Sequence, residues 1–323
     1  MMKKIIFLCV RYRIRILSKL FHTCDLLVEI IKSWCNLSKR SPVLFNWATT
    51  YIPYIQSKER IQLLHTDLVP EDKVFIDKIL EKVLYIAYNN IVNYKRLYSR
   101  EDELEQQRYL KYYYAQPNTN YFKKYGYGLV NEYCIERDVK QLPIKVDGKD
   151  IIDCGAYIGD SGIAFSKHFP TSKVYAIEPD KKNFLQLEEV IQLHWKGGKI
   201  IPLNVWVWEK DTEGFLSDEW IWSRLSDSGT KIAIRSIDSI VEEYKLQPGL
   251  IKWDIEGFEY YSILWTIETL KKYKPILLIS VYHHWRDLFE VKKLIQELDI
   301  WYKFTFTRWD SMTAFSDTLL VCY

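Results

Sequence analysis

Short apolar runs alternate with helical patterns over the second half of the chain. A short apolar run bounded by turn residues predicts a β-strand, whereas apolar residues at steps of three and four predict a helix. Helices are predicted near residues 163, 186, 240, 260 and 292. The predicted strands are 150–153, 173–177, 200–206, 249–253, 276–281, 302–307 and 318–322. This alternation predicts a mostly parallel sheet with helices on both faces, and the helix-free turn between the last two strands predicts an antiparallel edge.

The N-terminal segment shows a different pattern, with apolar residues at alternating steps of three and four. This spacing predicts one long amphipathic helix over residues 5–36, with Arg11, Arg13 and Arg15 in its basic first half. Its first apolar run ends at Arg11, which is too short for a signal peptide or a membrane span. The helix is predicted to pack on its own domain or on a second subunit. The alternative is attachment to an anionic membrane surface.

Prolines at 42, 53 and 70 interrupt the region that follows, which is predicted to be helical. The chain is therefore divided into an amphipathic helix (residues 1–36), a helical N-terminal region (37–146) and an α/β domain (147–323).

Residues 149–161 join the first predicted strand to the first predicted helix of the α/β domain. The strand ends on Asp153, the turn contains Gly155 and Gly159, and the helix opens at Asp160. This arrangement binds nucleotide-like cofactors. The next strand ends on Glu178, whose carboxylate is placed to accept hydrogen bonds from both ribose hydroxyls.

The glycine spacing indicates which cofactor fits this loop. A dinucleotide fold requires glycines at the first, third and sixth loop positions, and these positions hold Gly155, Tyr157 and Asp160. A carboxylate repels phosphate, whereas S-adenosylmethionine (SAM) carries no phosphate and has a cationic sulfur. We therefore predict that the loop binds SAM and not NAD. The predicted cofactor-binding residues are Asp153, Gly155, Ala156, Tyr157, Gly159, Asp160, Ser161, Glu178 and Pro179.

Composition restricts the function further. A formal net charge of +3 is too small to indicate nucleic-acid binding. The six cysteines form no C-x-x-C pair, so neither a zinc site nor a disulfide framework is predicted. Buried thiols are typical of a reducing compartment, which predicts a cytoplasmic protein, with peripheral contact at the inner face of the membrane as an addition.

Four segments together resemble the FkbM family of SAM-dependent methyltransferases: residues 152–160, 176–180, 251–259 and 280–289. The resemblance implies a Rossmann-like, seven-stranded class I SAM methyltransferase fold with the last strand antiparallel, preceded here by a helical extension. It also implies methylation of a hydroxyl, often on a sugar or polysaccharide. Trp253 departs from the family pattern, which predicts an altered floor of the pocket.

A sugar hydroxyl is a poor nucleophile until a general base takes its proton. His283 follows a predicted buried strand, and an unperturbed imidazole titrates near neutrality, so it is the predicted base. Asp254 is predicted to orient that histidine or to face the cationic sulfur. The predicted substrate contacts are Glu256, Tyr282 and His284. Glu256 and Glu259 also fit a role at a helix N-terminus. An acidic and histidine mixture could hold a divalent metal, although no metal is predicted.

We therefore predict an O-methyltransferase that acts on a sugar hydroxyl of a glycan or glycolipid. Tryptophans concentrated in the catalytic half, including those from Trp206 to Trp222 at the predicted rim, favour a carbohydrate acceptor. The glycine spacing argues against a nicotinamide-dependent oxidoreductase. The alternative is a catalytically silent SAM-fold assembly partner in a surface-polysaccharide pathway, which a side chain filling the methionine end of the pocket would indicate.

Overall fold

A computed structural model describes residues 42–89, 97, 99–117, 129–194, 199–209, 211–216, 225–226, 229–309 and 317–323. The predicted helix 5–36 lies outside these residues. Within the described part of the chain, no helix has the length and apolar character needed to cross a membrane.

A seven-stranded sheet forms the centre of the α/β domain. Its strands are β1 (Asp150–Cys154), β2 (Val174–Ile177), β3 (Ile200–Leu203), β8 (Pro248–Trp253), β9 (Ile276–Ser280), β10 (Phe304–Arg308) and β11 (Thr318–Cys322). The order is β10-β11-β9-β8-β1-β2-β3, and β11 runs antiparallel to both of its neighbours. The residues of β8 and β9 are all buried, as in a parallel sheet covered on both faces. The predicted sheet and its antiparallel last strand are confirmed.

A second, four-stranded sheet was not predicted. It contains β4 (Val205–Val207), β5 (Thr212–Leu216), β6 (Leu225–Ser226) and β7 (Thr230–Arg235) in the order β4-β7-β5-β6. The predicted strand 200–206 is therefore two strands. Asn204 separates them, and its side-chain amide donates to the backbone oxygens of Glu178 and Pro179. This polar anchor turns the chain from the large sheet into the small one.

Helices cover the large sheet and precede it along the chain. Those within the α/β domain are α7 (Asp160–His168), α8 (Lys181–His194), α9 (Ile237–Glu243), α10 (Glu259–Leu264), α11 (Ile267–Tyr273) and α12 (Trp285–Glu297). Those before it are α1 (Pro42–Thr49), α2 (Ile52–Ile55), α3 (Lys58–His65), α4 (Pro70–Asn89), α5 (Arg100–Ala115) and α6 (Leu129–Cys134), the last continuing into a π-helical turn (Ile135–Val139). Five helices lie where the sequence predicts them, and α11 is an addition.

The N-terminal helices pack directly on the α/β domain. Ile76 and Val83 of α4 share one apolar core with residues of β8 and β9. A buried polar link reinforces this packing, because Asp102 of α5 contacts both Lys82 of α4 (2.8 Å) and Arg308 of β10. These helices therefore stabilise the sheet on which the site is built.

Candidate active site

The carboxyl ends of β1, β2, β8 and β9 meet at one edge of the sheet, where a cavity of about 740 Å³ opens. Ligands of open α/β sheets bind at this edge, and the volume is within the range of small-molecule sites. Residues from the predicted cofactor loop, from Glu178 and from the segment after β8 all line it. The described residues that line it with charged or amide side chains are Asn131, Asp160, Glu178, Asp180, Lys182, Asn183, Lys252, Asp254, Glu256 and Asp317.

The glycine loop fits tightly between β1 and β8. Gly155 has a positive φ of 79°, and a Cβ built there would lie 1.9 Å from the backbone oxygen of Asp254. Only glycine avoids that clash and adopts this conformation without strain. Gly155 thus lets the two strand ends approach closely, and it brings the loop next to Asp254.

Glu178 stands where β2 ends and holds this loop through backbone contacts. One carboxylate oxygen accepts from the Tyr157 amide and the other from the Asp180 amide, each at 2.9 Å. Burial raises the pKa of Glu178 to about 7, against the lowering effect of these two hydrogen bonds. Each oxygen keeps a lone pair, so the carboxylate can accept hydrogen bonds from a diol in the cavity.

Asp153 lies beneath the cavity and does not line it. Its carboxylate is fully buried, accepts from the Ser161 hydroxyl at 2.6 Å, and lies 3.4 Å from the Lys252 ammonium. The same ammonium lies 3.4 Å from Asp254. Burial lowers the pKa of Lys252, but the surrounding carboxylates of Asp254, Asp153 and Asp160 outweigh it and raise that pKa above its ordinary value. Lys252 is therefore a buried cation shared between carboxylates.

Asp160 closes the other side of the loop. Its carboxylate accepts from the Asn131 side-chain amide at 2.9 Å, and burial raises its pKa. Asn131 belongs to α6, so a residue from outside the predicted catalytic domain lines the cavity.

Asp254 follows β8 and is surrounded by polar partners. One oxygen accepts from the Ser280 hydroxyl at 2.8 Å and lies 3.4 Å from the Tyr282 hydroxyl, while the other faces Lys252. Burial would raise the pKa of Asp254, but Lys252, His283 and the Ser280 hydrogen bond lower it. Asp254 is thus an ionised carboxylate at the cavity wall.

His283 lies behind Asp254 among three carboxylates. Its Nδ1 is 2.9 Å from Glu259, and its Nε2 is 3.1 Å from Glu256 and 3.6 Å from Asp254. Burial lowers the pKa of His283, but Glu259, Glu256 and Asp254 together raise it well above its ordinary value. Glu259 is fully buried and accepts from the amides of Ile255 and Gly257. This environment favours the protonated imidazole.

Comparison with known proteins agrees with this geometry. Residues 153–304 match the family model described as the methyltransferase FkbM domain. The FkbM methyltransferase from Methylobacillus flagellatus KT has a similar fold, with a TM-score of 0.52 at 20% sequence identity. The similarity covers 86% of this chain and 60% of that one. Residues 153–304 form an FkbM methyltransferase domain. The resemblance found in the sequence is therefore confirmed.

Two other solved structures are similar over a smaller part of this chain. Aeropyrum pernix fibrillarin, solved with natively bound SAM, has a TM-score of 0.38 at 13% identity and covers 60% of this chain and 76% of its own. The precorrin-6y C5,15-methyltransferase from Geobacter metallireducens GS-15 has a TM-score of 0.37 at 9% identity, and the similarity covers 62% of this chain and 86% of that one. No curated protein sequence matches the chain.

The FkbM domain brings most of the predicted cofactor residues to the cavity. Gly155, Tyr157, Asp160, Ser161, Glu178 and Pro179 line it. Asp153, Ala156 and Gly159 do not. Ala156 is fully buried, and Gly159 serves as the left-handed N-cap of α7. Direct cofactor contact by these three residues stays a prediction, and in this structure they lie behind the residues that line the cavity.

Two of the predicted substrate contacts are not among the residues that line the described cavity. His284 is the N-cap of α12, where its Nδ1 accepts from the Arg286 amide. Tyr282 is half-buried, and its backbone oxygen accepts from the Trp47 indole and the Tyr51 hydroxyl. The Tyr282 hydroxyl nevertheless donates to Asp254 of the cavity wall at 3.4 Å, and substrate contact by both residues stays a prediction. Glu256, the third predicted contact, is half-exposed and does line it.

Trp253 does not form the floor of the pocket. The side chain is fully buried, and its indole donates to the Ser262 hydroxyl at 2.9 Å. Neighbouring strand residues point to opposite faces, so Lys252 and Asp254 reach the cavity while Trp253 packs on the other side. The predicted alteration of the floor is wrong, and Lys252 is the residue that the sequence reasoning missed. A lysine inside the apolar run of β8 was the available signal.

Aromatic residues line another part of the cavity wall. Trp206, Phe258 and Trp309 contribute to it, and the rings of Trp206 and Phe258 meet edge to face at 5.2 Å. The rim position predicted for the tryptophan-rich segment is thus found for Trp206, whereas Trp220 and Trp222 lie outside the described residues.

Proposed function

We propose that this chain is a SAM-dependent O-methyltransferase whose acceptor is a sugar hydroxyl of a glycan or glycolipid intermediate. One observation carries the proposal. Glu178 and Asp254 line the same cavity at the carboxyl ends of the central strands. The Glu178 carboxylate is suited to a ribose diol. A methyl donor bound at Glu178 would therefore present its reactive group near Asp254.

The charge of the cavity supports SAM as the cofactor. Methyltransferases of this family and fold use SAM, which supplies an electrophilic methyl group when it is bound. Carboxylates outnumber lysines among the described lining residues, with Asp160, Glu178, Asp180, Asp254, Glu256 and Asp317 against Lys182 and Lys252. Such a wall attracts a sulfonium cation and repels a pyrophosphate. The residues present thus fit SAM better than a dinucleotide.

The base is better assigned to Asp254 than to His283. A general base must be deprotonated at the working pH. The carboxylates around His283 raise its pKa, whereas the pKa of Asp254 is lowered. Asp254 also lines the cavity, whereas His283 lies behind it. We therefore propose that Asp254 receives the acceptor proton while Lys252 and Ser280 hold its carboxylate in place.

The aromatic wall supports a carbohydrate acceptor. Indole and phenyl faces pack against the C–H faces of sugar rings, and their polar edges bind hydroxyls. The indole nitrogens of Trp206 and Trp309 are buried and have no hydrogen-bond partner among the described residues. A buried donor costs free energy until it is paired, so a hydroxyl-rich ligand would supply the missing acceptors.

Location and partners form part of the same proposal. We propose a cytoplasmic enzyme that meets its acceptor at the inner face of the membrane through helix 5–36, or that self-associates through this helix. Deletion of the helix tests these assignments, as set out in the Discussion.

The test compares purified wild-type protein with Asp254→Asn and His284→Ala. Methyl incorporation into cell-derived glycans is followed by mass spectrometry, with SAM affinity measured in parallel by calorimetry. We expect Asp254→Asn to lower turnover by about 10²–10⁴-fold, the usual contribution of a general base, and His284→Ala to stay near wild type. SAM binding without any added methylene group in the glycans would instead support the catalytically silent assembly partner.

A further inference from the structure

The group around His283 has the composition and spacing of a divalent-metal site. Its members are His283, Asp254, Glu256 and Glu259, and we call them the His283 cluster. Asp254, Glu259 and His283 each present a ligand atom within 4.8 Å of the other two. Asp254 and Glu256 also line the cavity, so the cluster faces the place where an acceptor would bind.

One atom in the cluster lacks the partner that its burial requires. The His283 side chain is 8% exposed, and its Nε2 makes no hydrogen bond within the described structure. That nitrogen lies near two carboxylates, 3.1 Å from Glu256 and 3.6 Å from Asp254. Ligands that share a metal at bond lengths of about 2.0–2.2 Å lie roughly 3.0–3.5 Å apart. The separation from Glu256 falls within that range, and the separation from Asp254 lies just above it.

The other ring nitrogen is already fixed. Nδ1 lies 2.9 Å from a carboxylate oxygen of Glu259, which two backbone amides hold in place. Metal-binding histidines generally donate their second ring N–H to a carboxylate in this way, which sets the tautomer and leaves the other nitrogen free to bind. Glu259 therefore acts as the orienting residue and not as a ligand.

Charge also favours a cation here. Three carboxylates surround one imidazole, and the nearest ammonium, that of Lys252, is shared with Asp153. Buried charges of one sign need a counter-charge. When no metal is bound, a proton on His283 supplies part of it.

We propose that His283 Nε2, Asp254 and Glu256 bind a divalent cation such as Mn²⁺ at the wall of the cavity. Carboxylate and imidazole donors together suit this class of ion. Binding of the cation does not depend on the proposed function, but its role in catalysis rests on that proposed function. A bound cation would coordinate the acceptor oxygen and lower the pKa of that hydroxyl. With the cation bound, the acceptor proton would leave to water in the open cavity and Asp254 would serve as a ligand; without the cation, Asp254 would be the base as proposed above.

Calorimetric titration of MnCl₂ into the full-length, chelator-treated protein tests the site. We expect wild-type protein to bind Mn²⁺, and Glu256→Gln to weaken that binding at least tenfold. Glu259→Gln should weaken it about 10–100-fold, the usual loss when an orienting partner is removed. Glu213→Gln is the matched control, because this glutamate is exposed and pairs with Lys231 on the small sheet. Its affinity should equal that of the wild type.

The same samples are titrated with SAM, which separates this inference from the proposed function. Binding of SAM without any binding of Mn²⁺ by the wild type would overturn the metal site and leave the methyltransferase proposal standing. Equal Mn²⁺ affinity in Glu256→Gln and Glu213→Gln would also overturn it. Binding of Mn²⁺ that depends on Glu256, in a protein that does not bind SAM, would support the metal site while the proposed function fails.

Discussion

Replacement of Lys252 by Met should destabilise the FkbM domain strongly. The Lys252 side chain is 6% exposed, and its ammonium lies 3.4 Å from carboxylate oxygens of both Asp153 and Asp254. Methionine has a similar length but no charge, so the fully buried Asp153 would keep only its Ser161 hydrogen bond. Breaking a buried ion pair by removing one partner costs about 3–5 kcal/mol. That loss is a large fraction of the about 5–15 kcal/mol that stabilises a typical domain.

A double-mutant cycle measures the coupling directly. Asp153→Asn removes the buried charge with nearly the same shape, so Lys252→Met should cost less in that background. We expect the double variant to be more stable than the sum of the single changes predicts, by about 1–3 kcal/mol. The free energies of unfolding are measured by urea denaturation, followed by circular dichroism and by fluorescence, whose midpoints must coincide for a two-state treatment.

The surface pair Lys231 and Glu213 is the control for this cycle. Its charged atoms are 2.6 Å apart, but both side chains are more than 60% exposed. Lys231→Met should cost less than about 1 kcal/mol, since exposed ion pairs contribute little. If Lys252→Met costs no more than Lys231→Met, or if the two buried substitutions are additive, Lys252 and Asp153 are not coupled and this reasoning fails.

The remaining predictions concern Glu178 in the predicted cofactor site, the N-terminal helices and the helix predicted over residues 5–36. Because burial raises the pKa of Glu178 to about 7, its carboxylate gains a proton as the pH falls through 7. SAM affinity should then drop by up to about tenfold per pH unit between pH 7 and 5, whereas an unchanged calorimetric affinity would exclude Glu178 as the ribose ligand. Tyr51→Phe should cost about 0.5–1.5 kcal/mol of stability by thermal denaturation, because it removes one hydrogen bond to the Tyr282 carbonyl; no loss would mean that the bond is dispensable. Deleting residues 1–36 should abolish co-sedimentation with anionic vesicles, which high salt should also weaken, and an unfolded product would instead assign the helix to the core or to a subunit interface.

The local pattern of apolar and polar residues was enough to predict the strands that build the cofactor half of the site. The runs ending at Asp153 and Glu178 predicted β1 and β2, because a strand buried on both faces must be apolar until it reaches the sheet edge. The glycine spacing argued against a dinucleotide without any structure. The small sheet was missed because its strands are short and partly exposed, so their pairing depends on contacts distant in sequence.

The sequence by itself determined the parallel sheet and which strand ends carry chemistry, because apolar periodicity and loop spacing are local properties of the chain, and its resemblance to the FkbM family indicated the family. Only the tertiary structure decided what those groups can do. It placed Lys252 between carboxylates far apart in sequence, brought Asn131 of α6 to Asp160, and enclosed His283 among three acids. The charge state of a side chain depends on its burial and on its neighbours in space. For that reason, the histidine that the sequence predicts as the base lies in the fold among carboxylates that raise its pKa.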